Sequence, residues 1–114
     1  MSNSQQLYPI HVHTGWVDYS PAFHQHALQR IRSRLAEVAS NVRSVAVRIS
    51  GAESHDSTHR SCHIEIMTTD GPTSASGVGV DLFHTVDSTV DKVAEMLRSR
   101  LSAVPNRDLR QRIA

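Results

Sequence analysis

This sequence of 114 residues contains one cysteine, one lysine, few aromatic side chains and no long apolar run. The single cysteine, Cys62, excludes an intramolecular disulfide and suits a reducing compartment, so we expect a cytoplasmic protein. The absence of any run of about 18 apolar residues excludes a membrane-spanning helix. Residues 1–6 are polar and lack the basic-then-apolar order of a signal peptide, and we expect them to be disordered.

The sequence also lacks the residue arrangements that enzymes use. Gly77 and Gly79 lie within a predicted strand, and no third glycine opens a helix after them, so there is no phosphate-binding glycine loop. Cys62 alternates with apolar residues in another predicted strand, where a thiol is usually inert. Asp87 and Asp91 are four residues apart on one helix face that we expect to be solvated. We therefore expect no enzymatic activity and no cofactor.

Apolar periodicity and turn signals predict the element order β-α-β-β-β-α in a single domain over residues 7–104, followed by a short basic tail at 105–114. The predicted strands cover residues 7–13, 43–51, 61–68 and 73–80, and the predicted helices cover 21–39 and 81–104. Ser20 and Asp81 are good helix-capping residues, and Pro105 is expected to end the second helix. The polar stretch 52–60 predicts a loop.

The predicted fold class is α+β, a four-stranded mixed sheet with two helices packed on one face. A helical crossover joins the first two strands, which should therefore be parallel, with a right-handed connection. The other strands should be antiparallel. The fourth strand would turn Ala75, Gly77 and Gly79 inward, and such small residues allow a helix to approach the sheet closely.

Basic side chains on the two predicted helices are the candidate RNA-binding residues. Eleven of the twelve basic residues are arginine, which makes planar bidentate contacts with phosphate. Cations along two neighbouring helices can follow the phosphates of an RNA without reading its sequence. These candidates, here called the six helix cations, are Arg30, Arg32, Arg34, Lys92, Arg98 and Arg100. Their acidic neighbours Glu37, Asp91 and Glu95 fit a second interpretation, an ordinary solvated helix surface with salt bridges.

The eight histidines raise two further possibilities. Acid should charge His24 and His26, which lie near the helix cations, and so tighten RNA binding. His11 and His13 share a strand face that His63 also occupies. If the strands are ordered as in the sequence, His63 lies two strands away from His13, about 10 Å. That distance is too long for one metal ion, and we expect no bound metal.

The segment Gly79–Val93 carries a resemblance to a known family. It continues the strand of small residues Thr73–Gly79 into a helix. The matching positions of this strand and helix are Ala75, Gly77, Gly79, Asp81, Leu82, Phe83, Val86, Asp87, Val90, Asp91 and Lys92, with Gly77 at a place that usually holds alanine. This run resembles the last strand and last helix of the short-form hibernation-promoting factor family. The family is also called ribosome-associated inhibitor A, sigma-54 modulation proteins or S30AE. The resemblance extends from about Ile10 to Leu101.

The resemblance implies a stress-response protein that binds the small ribosomal subunit and its ribosomal RNA. Basic side chains from both helices would contact RNA in the channel of messenger and transfer RNA and so inhibit translation. Arg30 and Lys92 stand where the family has basic residues. Longer relatives carry a C-terminal dimerising domain, for which too few residues follow Pro105. We therefore expect a monomer off the ribosome.

Several positions depart from the family pattern. His24 and Glu95 stand where arginine is common in the family, and Ser33 and Ser99 stand where lysine is common. The remaining helix arginines can compensate from neighbouring positions, so we expect a divergent member with weaker or conditional ribosome binding. The formal net charge of only +1 and Glu95 favour an alternative, a protein-interaction module on the same fold that does not bind RNA.

Overall fold

The computed structural model describes residues 8–14, 20–51 and 59–113, with side chains described up to residue 102. The expected disorder of residues 1–6 and most of the expected 52–60 loop lie outside this part of the chain. The elements are β1 Ile10–His13, α1 Pro21–Arg34, a 3-10 segment Ala36–Asn41, β2 Val42–Gly51, β3 Arg60–Thr68, β4 Gly71–Gly79 and α2 Leu82–Ile113. The predicted order β-α-β-β-β-α is confirmed.

The four strands form one sheet in the order β1-β2-β3-β4. β1 pairs with β2 in parallel, with Ile10 opposite Val45. The β2–β3 and β3–β4 pairs are antiparallel, so Val47 lies opposite Ile64 and Ile64 opposite Ala75. The predicted mixed sheet is therefore confirmed, including the parallel first pair that the helical crossover requires.

Apolar side chains of both helices and of one sheet face form the core. Val45, Val47, Ile64 and Ile66 on the central strands are fully buried. The helices complete this core with a series of buried residues, Phe23, Ala27 and Ile31 on α1 and Val86, Val90, Val93 and Leu97 on α2. Alternation along each strand leaves the opposite sheet face uncovered by these helices. No helix in the described part of the chain is long and apolar enough to cross a membrane.

Both predicted helix starts are confirmed. The Ser20 hydroxyl accepts a hydrogen bond from the backbone N–H of Phe23, and Pro21 occupies the first turn. The Asp81 carboxylate accepts one from the backbone N–H of His84. Each cap satisfies an N–H group that has no partner within the helix.

The predicted helix ends are less accurate. α1 ends at Arg34 rather than near residue 39, and the chain continues as the 3-10 segment with Val38 outside helical φ/ψ. Such tightening is common where a helix runs out of stabilising contacts at its end. The prediction that Pro105 ends α2 is wrong, because the helical backbone extends to Ile113. An interior proline lacks an N–H donor and its ring crowds the carbonyl four residues before it, which is why it was expected to end the helix.

α2 packs closely against β4, as the small residues of that strand predict. A methyl group added at Gly77 would overlap the hydroxyl of Thr89, and one added at Gly79 would overlap the hydroxyl of Thr85. Both threonines are buried. The Thr89 hydroxyl donates to the Thr85 carbonyl at 2.7 Å, which satisfies it inside the interface. The glycines therefore set the distance between helix and sheet.

We expect Gly77→Ala to lower the free energy of unfolding by about 1–3 kcal/mol, because the added methyl overpacks this interface. Chemical denaturation measures the change, and Ser74→Ala, at an exposed position of the same strand, is the matched control. Thr89→Ala should restore part of the loss when combined with Gly77→Ala. Purely additive losses in the double variant would contradict the overlap.

Burial also affects Cys62, which is 1% exposed and is a free thiol as predicted. Desolvation raises the pKa of Cys62 from 9.0 to about 11, against a smaller lowering by a hydrogen bond with Thr89. The unfolded state therefore ionises first as the pH rises. This contribution to stability is complete below about pH 9 and is lost towards pH 11.

We expect the stability of the wild-type protein to fall relative to Cys62→Ala between pH 9 and pH 11. The difference should reach about 3 kcal/mol, the equivalent of a shift of roughly two pH units. Urea denaturation of both proteins across this range isolates the thiol, because all other groups are common to the two chains. A constant difference would show that the thiol ionises equally easily in both states.

Candidate nucleic-acid interface

The two helices face each other through charged side chains with a four-residue spacing. His26, Arg30 and Arg34 lie along one side of α1, and Asp87 and Asp91 lie along the facing side of α2. Residues four apart are neighbours on a helix surface, so the two rows run beside each other. We call these five residues the interhelical cluster.

The interhelical cluster is joined by several short contacts. His26 Nε2 lies 2.7 Å from Asp87 Oδ1, and Arg30 Nε lies 3.7 Å from the same oxygen. Arg30 Nη2 donates to both oxygens of Asp91, at 3.2 and 3.1 Å. Arg34 Nε lies 2.9 Å from Asp91 Oδ1. Each carboxylate thus contacts two basic side chains of α1.

This arrangement changes the electrostatics of the predicted RNA-binding surface. Asp87 and Asp91 were expected on a solvated face, and they are only partly solvated, because both side chains point across the helix interface and are 29% and 43% exposed. Two guanidinium groups and two carboxylates meet there, so the formal charges of Arg30 and Arg34 are matched. Pairs at this exposure contribute about 0.2–1 kcal/mol each to stability.

Lys92 and Arg100 lie on another side of α2 and contact β4. Lys92 Nζ donates to the Ser76 carbonyl at 2.8 Å. Arg100 Nη1 donates to the Pro72 carbonyl at 2.8 Å and to the Thr73 hydroxyl, and its Nη2 donates to the Asp70 carbonyl. Neutral acceptors orient these two cations without cancelling their charge.

The remaining helix cations differ in exposure. Arg32 is exposed on α1. Burial raises the pKa of the nearby Tyr8, and the charge of Arg32 lowers it by a smaller amount. Arg98 is half-buried, and its buried Nε and Nη2 atoms donate to no acceptor among the described residues. The six helix cations therefore form three groups. Arg30 and Arg34 pair with carboxylates, Lys92 and Arg100 donate to backbone carbonyls, and Arg32 and Arg98 do neither with any described residue.

The structure places the two candidate pH-modulating histidines differently. His26 joins the interhelical cluster through Asp87, and its ring centroid lies 4.9 Å from that of Phe83. His24 is half-buried on α1. A protonated His26 would strengthen its contact with the carboxylate. The Asp87 carboxylate would therefore offset part of any positive charge at His26.

Residues 8–14, 20–51 and 59–102 contain no group of three or more His, Cys, Asp or Glu side chains that could hold a metal ion. His13 and His63 are separated by Arg48 of the intervening strand. The observed strand order is therefore the one that was assumed, and it places these two imidazoles two strands apart.

The interhelical cluster was not predicted, although the sequence contains a pattern that indicates it. Basic residues at 26, 30 and 34 and acidic residues at 87 and 91 are complementary rows with the same spacing. Each row borders the apolar stripe of its helix. Two helices covering one sheet face bring such stripe edges together, so the matched spacing was a sign of pairing.

Comparison with solved structures identifies proteins with the same fold. A ribosomal subunit interface protein from Coxiella burnetii matches with a TM-score of 0.72 at 15% identity, over 82% of this chain and 98% of that one. The N-terminal domain of Protein Y from Thermus thermophilus matches with a TM-score of 0.66 at 15% identity, over 82% and 96%. No protein-family model and no curated protein matches the sequence.

The chain shares the fold of these two proteins. The predicted resemblance is thereby confirmed at the level of architecture, and the coverage shows that nearly the whole of each neighbour has a counterpart here. At 15% identity the likeness carries no residue roles, so the six helix cations remain predicted binding residues.

We expect Asp91→Asn to lower the free energy of unfolding by about 0.5–1 kcal/mol at low salt, because Arg30 and Arg34 both lose a charged partner. The loss should shrink at high salt, where exposed charges are screened. Glu95→Gln is the matched control, since Glu95 is exposed on the same helix and makes no ion pair with a described residue. Equal losses in both variants would contradict a specific interhelical contribution.

Proposed function

We propose that this protein associates with the ribosome by binding RNA of the small subunit, and that it inhibits translation there without catalysis or a cofactor. The observation that carries the proposal is the fold shared with a protein whose name places it at a ribosomal subunit interface, over 98% of that chain. The resemblance of the Gly79–Val93 segment, obtained from the residues alone, supports it independently.

The outer surface of the two helices is the proposed contact. Residues 21–41 and 82–102 carry the six helix cations against four carboxylates, Glu37, Asp87, Asp91 and Glu95. This excess of positive charge is small. Arg32, Lys92 and Arg100 keep charges that no described carboxylate matches, and they are the first contacts that we expect with phosphate.

Arg30 and Arg34 would join the contact by exchanging partners. A phosphate group can replace the Asp91 carboxylate, because a guanidinium binds both kinds of anion with the same planar geometry. The exchange costs the existing ion pairs, so affinity should be moderate and should depend strongly on salt. Protonated imidazoles at His24 and His26 would add positive charge to this surface, and the Asp87 carboxylate beside His26 would offset part of that charge.

The alternative is a protein-interaction module on this fold. The interhelical cluster favours it, because it cancels the charges of Arg30 and Arg34 in the absence of any partner. The two functions differ in their dependence on the unmatched cations. A module that does not use RNA needs no positive helix surface and should tolerate the loss of Arg32.

Co-sedimentation with purified small ribosomal subunits, at low magnesium over a salt series, tests the proposal. We expect binding that weakens with salt, and we expect Arg32→Glu to weaken it further and to reduce the salt slope by about one, the loss of one phosphate contact. Arg32 is a cleaner site than Arg30 or Arg34, whose reversal would place new carboxylates beside Asp87 and Asp91 and disturb the packing.

We expect Asp91→Asn to have the opposite effect on binding to the small subunit. It releases two guanidinium groups for phosphate, so affinity should rise and the salt slope should steepen by about one. Glu95→Gln removes the same charge without freeing a paired cation and should alter the slope less. Wild-type protein that stays in the supernatant at every salt concentration and pH, with Asp91→Asn equally inactive, would reject ribosome binding and leave the interaction module.

A further inference from the structure

The face of the sheet opposite the helices carries a row of basic side chains that the proposed function does not use. The strand register aligns His13 with Arg48 and Arg48 with His63, and His63 with Ser76. All four residues are exposed. One row across the whole sheet thus consists of two imidazoles flanking a guanidinium, with a hydroxyl at its end.

Neighbouring residues extend this surface. His11 lies on the same face of β1, and its ring is within 20° of parallel to that of His13, with centroids 6.4 Å apart. His63 Nδ1 lies 2.7 Å from Ser76 Oγ, a contact that orients its ring. We call His11, His13, Arg48, His63 and Glu65 the open face.

The charge on the open face depends on pH. Its basic groups are two histidines on β1, Arg48 on β2 and one histidine on β3, and Arg43 is exposed at the bulge that begins β2. Among the residues that the structure describes, its one carboxylate is Glu65, opposite Ala46 and Ser74. The matching positions of β4 hold Pro72, Ser74, Ser76 and Val78. Protonated imidazoles would make this face strongly positive, because Glu65 is the one described carboxylate that lies among them.

We propose that the open face is a second binding surface, for single-stranded RNA, and that acid strengthens it. Charge complementarity favours an anionic partner. The flat surface favours single-stranded RNA over other anions, because bases stack on exposed rings of a four-stranded sheet. Histidine is among the side chains on which bases stack. Arg48, at the centre of the row, supplies a phosphate contact or a planar stacking partner.

An acidic protein segment fits this surface less well. Carboxylates would pair with the cations, but they would leave the nearly parallel rings of His11 and His13 without a planar partner. Exposed apolar side chains border the open face as single residues, Met67 at 42% and Val78 at 68% exposure, rather than as a groove for a hydrophobic anchor. The arrangement therefore favours alternating phosphates and bases.

This inference does not depend on the proposed function, because the two surfaces lie on opposite sides of the sheet. A protein that fails to bind ribosomes through its helices can still bind a single strand on the open face. The converse also holds, so each proposal can fail alone.

Fluorescence anisotropy with labelled ten-nucleotide oligouridine and oligoadenosine, at pH 5.5 and 7.5 and constant salt, measures this binding. We expect tighter binding at pH 5.5. The double variant His13→Ala with His63→Ala should lose about tenfold in affinity at pH 5.5, in line with the loss of a stacked base. His84→Ala, which removes an exposed imidazole on α2, is the matched control and should bind as the wild type does.

Amide chemical shifts of the wild-type protein, followed during an RNA titration, provide a measurement that needs no variant. We expect changes centred on His13, Arg48 and His63. Changes confined to α1 and α2, or equal affinity at the two pH values, would overturn the proposal. So would equally tight binding of polyglutamate, which carries negative charge without bases.

Discussion

The close packing of α2 on β4 determines where the candidate binding residues of α2 lie. Gly77 and Gly79 leave room for the hydroxyls of Thr89 and Thr85, and the helix settles against the strand at that distance. The same contact fixes the rotation of α2 about its axis. With Thr85 and Thr89 turned to the sheet, Asp87 and Asp91 face α1, and Lys92 and Arg100 reach the carbonyls of β4. The charge distribution on the surface of α2 therefore depends on the absence of side chains at Gly77 and Gly79.

Sequence patterns predicted the architecture because each element carries its own local signal. Alternating apolar residues marked the strands, Ser20 and Asp81 marked the helix starts, and the small residues of β4 indicated the close helix approach. Helix ends were harder. α1 gives way to a 3-10 segment at residues 36–41, and the helical backbone of α2 continues past Pro105. Local propensity is a weak guide in both places.

The candidate site was less predictable than the fold because side-chain pairing depends on how two helices are rotated against each other. The sequence fits equally well with Arg30 and Arg34 facing outward or pairing with Asp91. Only the packing of the two helices distinguishes these arrangements. The result is a helix surface of low net charge on a fold shared with a ribosomal subunit interface protein from Coxiella burnetii. Under the proposed function, phosphate binding by these arginines would be an exchange of anions, which does not require a strongly basic chain.

The hydrogen bonds that Lys92 and Arg100 give to β4 have a consequence for self-association. β4 is an edge strand, and an unprotected edge is a template on which another chain can add a strand. Cationic side chains lying over the carbonyls of Pro72 and Ser76 obstruct that pairing, and Pro72 offers no N–H donor. If a polyanion drew the two cations away, this edge would lose that protection against pairing with another strand.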